Sequence, residues 1–421
     1  MKSIQDFAPE IQQRLSGFVR YLTMNGFSRP EVKNVGALLS GILKRPTVQV
    51  SGISRMLEEE IAPKKTEERL HRNLRREGLG LRLLEANAGK HGGTIRRMRY
   101  CIIDTSDIQK PYSKKMDGLS VVRDGDKSGR GEVVTGEGLH WINGVMADGA
   151  DIVPVYSEIY GLEHEVQDRV SENTKILGIM NLVRKIHPDA IYVLDRGGDR
   201  SVLMDDCIKY EMQFVIRCQS LRSLGLHRDS GHLTNIKKIA KRVRTEHAYR
   251  SVRNGEWYDV GIKRVYYGET PLWLVVSRRR RHGGLSWYLT NVKDSRTVVM
   301  NTVMEAYGLR WRVEEYHRQI KQDYGLESLC LRKYAAIKNM AVLVMLAAAL
   351  CAMLPRELVI KMVTAAHRLP RNRLRDIPLY AMYMIVAAVA WALETTVRRP
   401  PPPLRIRKRI HFQLMLPFPA L

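Results

Sequence analysis

Residues 190–195, AIYVLD, constrain the fold more tightly than any other stretch of this 421-residue chain. Every position before the aspartate is apolar, and Pro188 stands just upstream. A short run of this kind fits a central strand covered on both faces, which calls for helices on either side. The flanks supply them. Ile176, Ile179, Met180, Val183 and Ile186 repeat with a helical period over about 170–187, and Pro188 ends that helix. A second helix is expected over Arg200–Tyr210, and QFVIRC is the next strand. Upstream, MRYCIID is a β-rich run ending in Asp104. LHWINGVMAD and DIVPVYSEIY then read as a hairpin around Asp148–Gly149. The order of three strands, helix, strand, helix, strand predicts an α/β fold. Asp104 and Asp195 fall at carboxyl ends of strands, where the active sites of open sheets collect.

A stripe further along points at the same edge. In YGLRWRVEEYHRQIK, residues Tyr307, Arg310, Glu314 and Lys321 share one narrow arc of an expected helix. Leu309, Val313, Tyr316 and Ile320 fall on the opposite side, so a single amphipathic helix is expected. Arg–Glu and Glu–Lys spacings also occur on ordinary solvated helices, and the two upstream aspartates are what give this stripe chemical meaning. Asp104, Asp195 and Glu314 offer oxygen ligands without His or Cys neighbours, which suits Mg²⁺ or Mn²⁺. Two such ions about 4 Å apart would activate a water and stabilise a leaving oxygen in phosphodiester displacement. Asp107, Asp199 and Glu315 compete for these roles. Glu315 is outside the arc, Asp199 is expected at a helix start, and Asp107 is the hardest of the three to dismiss. His164 and His317 lack any H-E-x-x-H context and read as structural or surface residues.

Charge identifies the class of partner. Lys and Arg number 69 against 44 Asp and Glu, a net charge of +25, which favours a polyanion, nucleic acid first and an anionic membrane surface second. Five scattered cysteines without C-x-x-C spacing argue against a disulfide framework or structural zinc and suit a reducing cytosol. The start, MKSIQDFAPEIQQ, lacks a signal-peptide apolar run. Met340–Leu354 and Leu379–Leu393 are each 15 uncharged residues, short of the ~20 that span a bilayer, and read as buried core helices.

The remaining segments complete the layout. Residues 1–95 read as a helical, basic, DNA-binding region, with two helices joined at Ala62–Pro63, Thr66 as an N-cap, and Arg72 and Arg75 on a face suited to a major groove. The Gly- and Lys-rich stretch after Lys110 lacks a phosphate-loop pattern and reads as a mobile loop. Residues 220–300 alternate as an antiparallel β-rich insertion with Trp257, Trp273, Trp287 and the run Arg278–Arg281. Residues 336–397 read as helical, and 398–421 as a Pro-rich basic tail.

IIDTSDIQK, YVLDRGGDR and the spacing Y-(2)-R-(3)-E-(6)-K together resemble a bacterial insertion-sequence transposase with a DDE catalytic domain. The resemblance covers about residues 40–350. It implies an RNase H-like mixed sheet with flanking helices, its core formed by 96–219 and 301–335 and interrupted by the β-rich insertion. It implies Asp104, Asp195 and Glu314 as ligands of two Mg²⁺ or Mn²⁺ ions, Arg310 and Lys321 on phosphates, and Tyr307 on the backbone near a flipped base, with Trp287 stacking that base. The partners implied are double-stranded DNA, as terminal inverted repeats and as target, and a second copy of the chain on two ends. The place implied is the bacterial cytoplasm, on the nucleoid, with no membrane. Two other readings stay open: a DNA-binding derivative whose catalysis has lapsed, and a structure-specific nuclease on the same fold.

Overall fold

A computed structural model describes residues 7–123, 134–149, 151–161, 171–228, 231–252, 254–281, 283–367 and 382–394. The tail at 398–421 and His164 lie outside the described residues. Six helices come first: α1 (Ala8–Met24), α2 (Arg29–Lys44), α3 (Val50–Met56), α4 (Pro63–Leu74), α5 (Leu79–Lys90) and α6 (Gly92–Ile95). The α/β part follows with β1 (Tyr100–Gln109), β2 (Ser120–Arg123), β3 (Thr135–Asp148), β4 (Asp151–Tyr160), α7 (Glu172–Arg184), β5 (Ile191–Leu194), α8 (Ser201–Lys209) and β6 (Gln213–Arg217). Next are β7 (Ser223–Gly225), β8 (Leu233–Asn235), α9 (Ile236–Lys241), β9 (His247–Arg250), β10 (Trp257–Tyr267), β11 (Thr270–Arg279) and β12 (Leu285–Thr290). The chain continues through α10 (Arg296–Leu309), α11 (Trp311–Gln322), α12 (Tyr334–Ala352), α13 (Arg356–His367) and α14 (Met382–Glu394).

One mixed sheet runs through the molecule in the order β2-β3-β1-β5-β6-β12-β11-β10-β7-β8, with β4 on β3 and β9 on β10. β1, β5 and β6 are parallel neighbours, and every other pairing is antiparallel. β5 is buried at all four positions, as its unbroken apolar run requires. The sheet with its flanking helices is the mixed α/β arrangement of an RNase H-like fold. The β-rich stretch at 220–300 is no separate sheet: β12 pairs with β6 and so extends the central one. It also holds the short helix α9.

Four local expectations change. Asp104 does not end its strand, because the β3 partner carries the β1 ladder on to Gln109 after the parallel neighbour β5 has stopped. Thr66 is not an N-cap: Pro63 starts α4 one turn earlier, where its missing N–H is harmless, and Thr66 donates instead to Glu59 Oε2 at 2.7 Å. The stretch Tyr307–Lys321 is two helices rather than one, with Arg310 as the shared cap. There the ladder tightens to three-residue steps, Arg310 N–H to Tyr307 O and Val313 N–H to Arg310 O. Within the stretch read as a mobile loop, Ser120–Arg123 pairs with β3 as a strand, whereas 124–133 lies outside the described residues.

α12 is long and apolar enough to cross a membrane, yet 89% of its most apolar window is buried inside the fold, against β4, α2, α4 and α5. A single buried side chain ties the N-terminal helices to it. Asn339 accepts from Gly80 N–H at 2.7 Å and donates to Leu74 O and Arg76 O, each at 2.8 Å. Those carbonyls belong to the end of α4, where backbone acceptors otherwise go unpaired. Replacing Asn339 with Leu strands three backbone groups, of which Gly80 N–H and Leu74 O are buried, and each stranded buried group costs about 1–3 kcal/mol. Urea unfolding of Asn339→Leu should show a loss of roughly 3 kcal/mol or more; a loss under about 1 kcal/mol would mean that the docking rests on apolar contacts.

Candidate active site at the carboxyl edge of the sheet

Three parallel strands run in level register, although β1 continues past the ends of β5 and β6. Ile102 pairs with Val193 and Leu194 with Ile216. Continuing those registers sets Asp104 beside Asp195, and Asp195 beside Arg217. Arg217 escaped the sequence reading, although it ends its apolar run just as Asp195 ends AIYVLD.

The turn after β5 holds Asp195 in place. Its Oδ1 accepts from Gly197 N–H at 2.7 Å, capping a short 3₁₀ turn over Arg196–Gly198. A Cβ at Gly198 would lie 2.5 Å from Leu194 Cβ, so this turn excludes side chains. Arg200 grips the turn from outside, donating to Gly197 O at 2.6 Å and to Asn173 Oδ1 at 2.8 Å, and pairing with Glu172.

Arg310 joins the third carboxylate to the pair. Its guanidinium reaches Asp104 Oδ2 at 3.2 Å and also pairs with Glu314. Burial pushes the Asp104 carboxyl up to about 7, with Arg310 pulling it down and the charges of Asp195 and Glu314 pushing it further up. Asp104, Asp195, Glu314 and Arg310 therefore form one electrostatic unit. Tyr307 stands at its side. Its hydroxyl accepts from Arg217 at 2.9 Å, its ring lies 4.8 Å from that of Tyr288, and Arg310 sits 5.7 Å above it. Lys321 is further along α11, 3.6 Å from Glu327.

A buried polar pair seats α11 on the sheet. Asn143, the β3 partner of Asp104, donates to His317 Nε2 at 3.1 Å, and His317 lies 4.9 Å from the Trp141 ring. Burial, then Lys321 and Arg310, push His317 down to about 3, so the imidazole is neutral. It is one turn from Glu314, and is thus structural and not on the surface.

The competing acids have other partners. Strand alternation turns Asp107 to the face opposite Asp104, 3.4 Å from His140. Asp199 is not at a helix start; it is buried, accepts from Gln219 N–H at 2.7 Å and pairs with Arg222. Glu315 pairs with Arg318 at 2.7 Å. Trp287 is half-buried on β12 and, being next to Tyr288, points to the face away from Tyr307. Arg72 and Arg75 lie on α4 and its C-cap, exposed and away from the carboxylates.

The donor set is all oxygen and suits a hard divalent cation. Among the described residues no three such groups stand close enough to close a shell as they are, with Arg310 between two of the carboxylates. Because the native state binds the Asp104 proton more tightly than its ordinary value near 3.8 allows, this group's stabilisation is intact below about pH 4 and is lost as pH rises through about 7. In EDTA, Asp104→Asn should therefore be more stable than the parent at pH 8 by about 2–4 kcal/mol, with the gap closing by pH 4. Urea melts across that range check it, and a gap independent of pH would return Asp104 to an ordinary carboxylate.

Residues 155–350 match the model of a family described as the transposase DDE domain. Asp195, Glu314 and the Tyr307–Lys321 stripe lie inside the match, and Asp104 lies before it. No curated protein matches the chain.

Proposed function

We propose that the chain, whose residues 155–350 match a transposase DDE domain, cleaves and joins DNA at the ends of an insertion sequence through Asp104, Asp195 and Glu314. The observation that supports this most is the level register of β1 and β5, which brings Asp104 beside Asp195, with Arg310 linking Asp104 to Glu314.

Two Mg²⁺ or Mn²⁺ ions fit the chemistry of this carboxylate set. The raised Asp104 value reflects burial together with repulsion from its neighbours, which a cation relieves. Bound there, such ions would supply Lewis acidity at a phosphodiester and make a bound water easier to deprotonate. The chain's own groups do the positioning. Arg310, already engaged with two carboxylate oxygens by a planar fork, is matched to two oxygens of a phosphate. Lys321 adds a point charge on the same helix, and Tyr307, held between Arg217 and Arg310, contacts the strand beside the cleaved bond. We place the reaction in the bacterial cytoplasm on nucleoid DNA, with two copies of the chain on paired ends.

A labelled duplex carrying the element's terminal repeats tests this with Mg²⁺ and with EDTA. Metal-dependent cuts at the repeat boundary are expected, and Asp195→Ala and Glu314→Ala should each abolish them while end binding stays within about twofold, because few phosphate contacts are lost. Arg310→Ala should slow cleavage roughly 100-fold, the order seen when one group that stabilises the transition state is removed. Wild-type cutting by the Glu314 variant would remove that residue from the site. Binding without any cut by the parent would leave a DNA-binding protein without catalysis.

A further inference from the structure

α4 lies across the chain segment 330–336, and between them is a groove of about 460 Å³. Lys64, Arg72 and Arg75 line it from one side, Arg332 and Lys333 from the other. Five fixed cations thus face the two carboxylates of Glu67 and Glu68, and Glu67 is already engaged by Lys64 at 3.4 Å and by His71 at 3.7 Å. Lys333 approaches Asp117 at 3.6 Å. The side chains of Arg72, Arg75 and Arg332 are exposed and have no ion pair or hydrogen bond among the described residues. Three unpaired guanidinium groups around one concavity favour an anionic occupant. The walls are tied to each other, because Asn339 on α12 binds the end of α4 three residues beyond the groove's last lining residue.

The groove also has a fixed place relative to the carboxylates. Just past β1, Lys110 is buried and donates to Glu327 O and, at 2.8 Å, to Leu329 O, which pins the segment that leads into the groove. Asp104 and Lys110 are six residues apart on extended backbone, about 20 Å. From Lys64 to Arg75 the cations extend about 16 Å along α4.

We propose that this groove seats the phosphate backbone of the duplex flanking the cleaved bond. The proposal rests on the nuclease reading of the carboxylate edge for its choice of DNA over other polyanions. It makes one strand of duplex bridge the N-terminal helices and the segment after α11, so that neither wall holds the DNA by itself.

Cys330 lines the groove and is the one exposed cysteine; the other four are buried. The native protein therefore reports on the groove through maleimide alkylation. The experiment uses the Asp195→Ala chain in EDTA, so that no cutting is needed, with a 30-base-pair duplex and, separately, a polyglutamate of equal charge as probes. Saturating duplex should slow Cys330 alkylation by about tenfold or more, and the triple change R72E/R75E/R332E should remove that protection. Each arginine lost should also make the plot of log affinity against log salt shallower by about 0.9. Unchanged alkylation under saturating duplex would overturn the proposal, as would protection by polyglutamate alone or a triple variant that binds with the parental salt slope. Failure of the nuclease reading is seen elsewhere, in the absence of cleavage by the parent, and does not alter the alkylation result.

Discussion

The parallel ladder through β1, β5 and β6 is the constraint on which the site depends. Side chains on parallel strands meet only if register and strand ends agree, and here two registers agree in sequence, Ile102 with Val193 and Leu194 with Ile216. A shift of one residue in the first would send one carboxylate to the other face of the sheet, and a shift in the second would do the same to Arg217. The covering helices make such a shift costly. β5 is buried on both faces, and Leu194 packs against the Gly198 turn with no room for a Cβ. The apolar demand that centres this strand in the fold is therefore the same demand that aligns Asp195 with Asp104.

Bringing three carboxylates to one partly buried edge is unfavourable unless positive charge comes with them. The chain meets this with Arg310, located where the backbone tightens between α10 and α11. A regular helix would carry Tyr307 and Glu314 on one straight axis. The break lets α10 turn Tyr307 toward Arg217 and Tyr288 while α11 stays seated by the Asn143–His317 pair. That pair is neutral and buried, so it adds no charge to a site that already has an excess. It also joins β3, at the position opposite Asp104, to the helix that carries Glu314. The two elements are thereby held together by contacts that do not use the carboxylates.

Periodicity made much of this readable beforehand. The apolar run AIYVLD, the repeat from Ile176 to Ile186 and the buried seam of Val313, Tyr316 and Ile320 are local patterns, and each appears where it was expected. Pairing between distant residues was not readable. Nothing near Asp199 announces Arg222 as its partner, and the two are joined only because the chain turns back after β6. Arg217 ends an apolar strand run as a catalytic acid might, but only the register shows that it is level with Asp195. Thr66 has the side chain of a cap and the right acids after it, yet Pro63 sets the helix start through its fixed φ. Asp107 could not be separated from Asp104 until the strand was known to continue past it, since alternation along β1 is what sends the two carboxylates to opposite faces.

The N-terminal helices bear on the same edge through a longer chain of contacts. Asn339 fills the unpaired acceptors at the end of α4, which fixes α4 on α12. α12 is packed on β4, β4 pairs with β3, and β3 pairs with β1 along the stretch that holds Asp104. Each link is either a buried apolar face or a satisfied hydrogen bond, so a load on α4 is carried to the sheet without passing through a loop. A polyanion held at the far end of that path is therefore held at a defined distance from the carboxylates, and the basic surplus of the chain becomes a matter of position as well as of attraction.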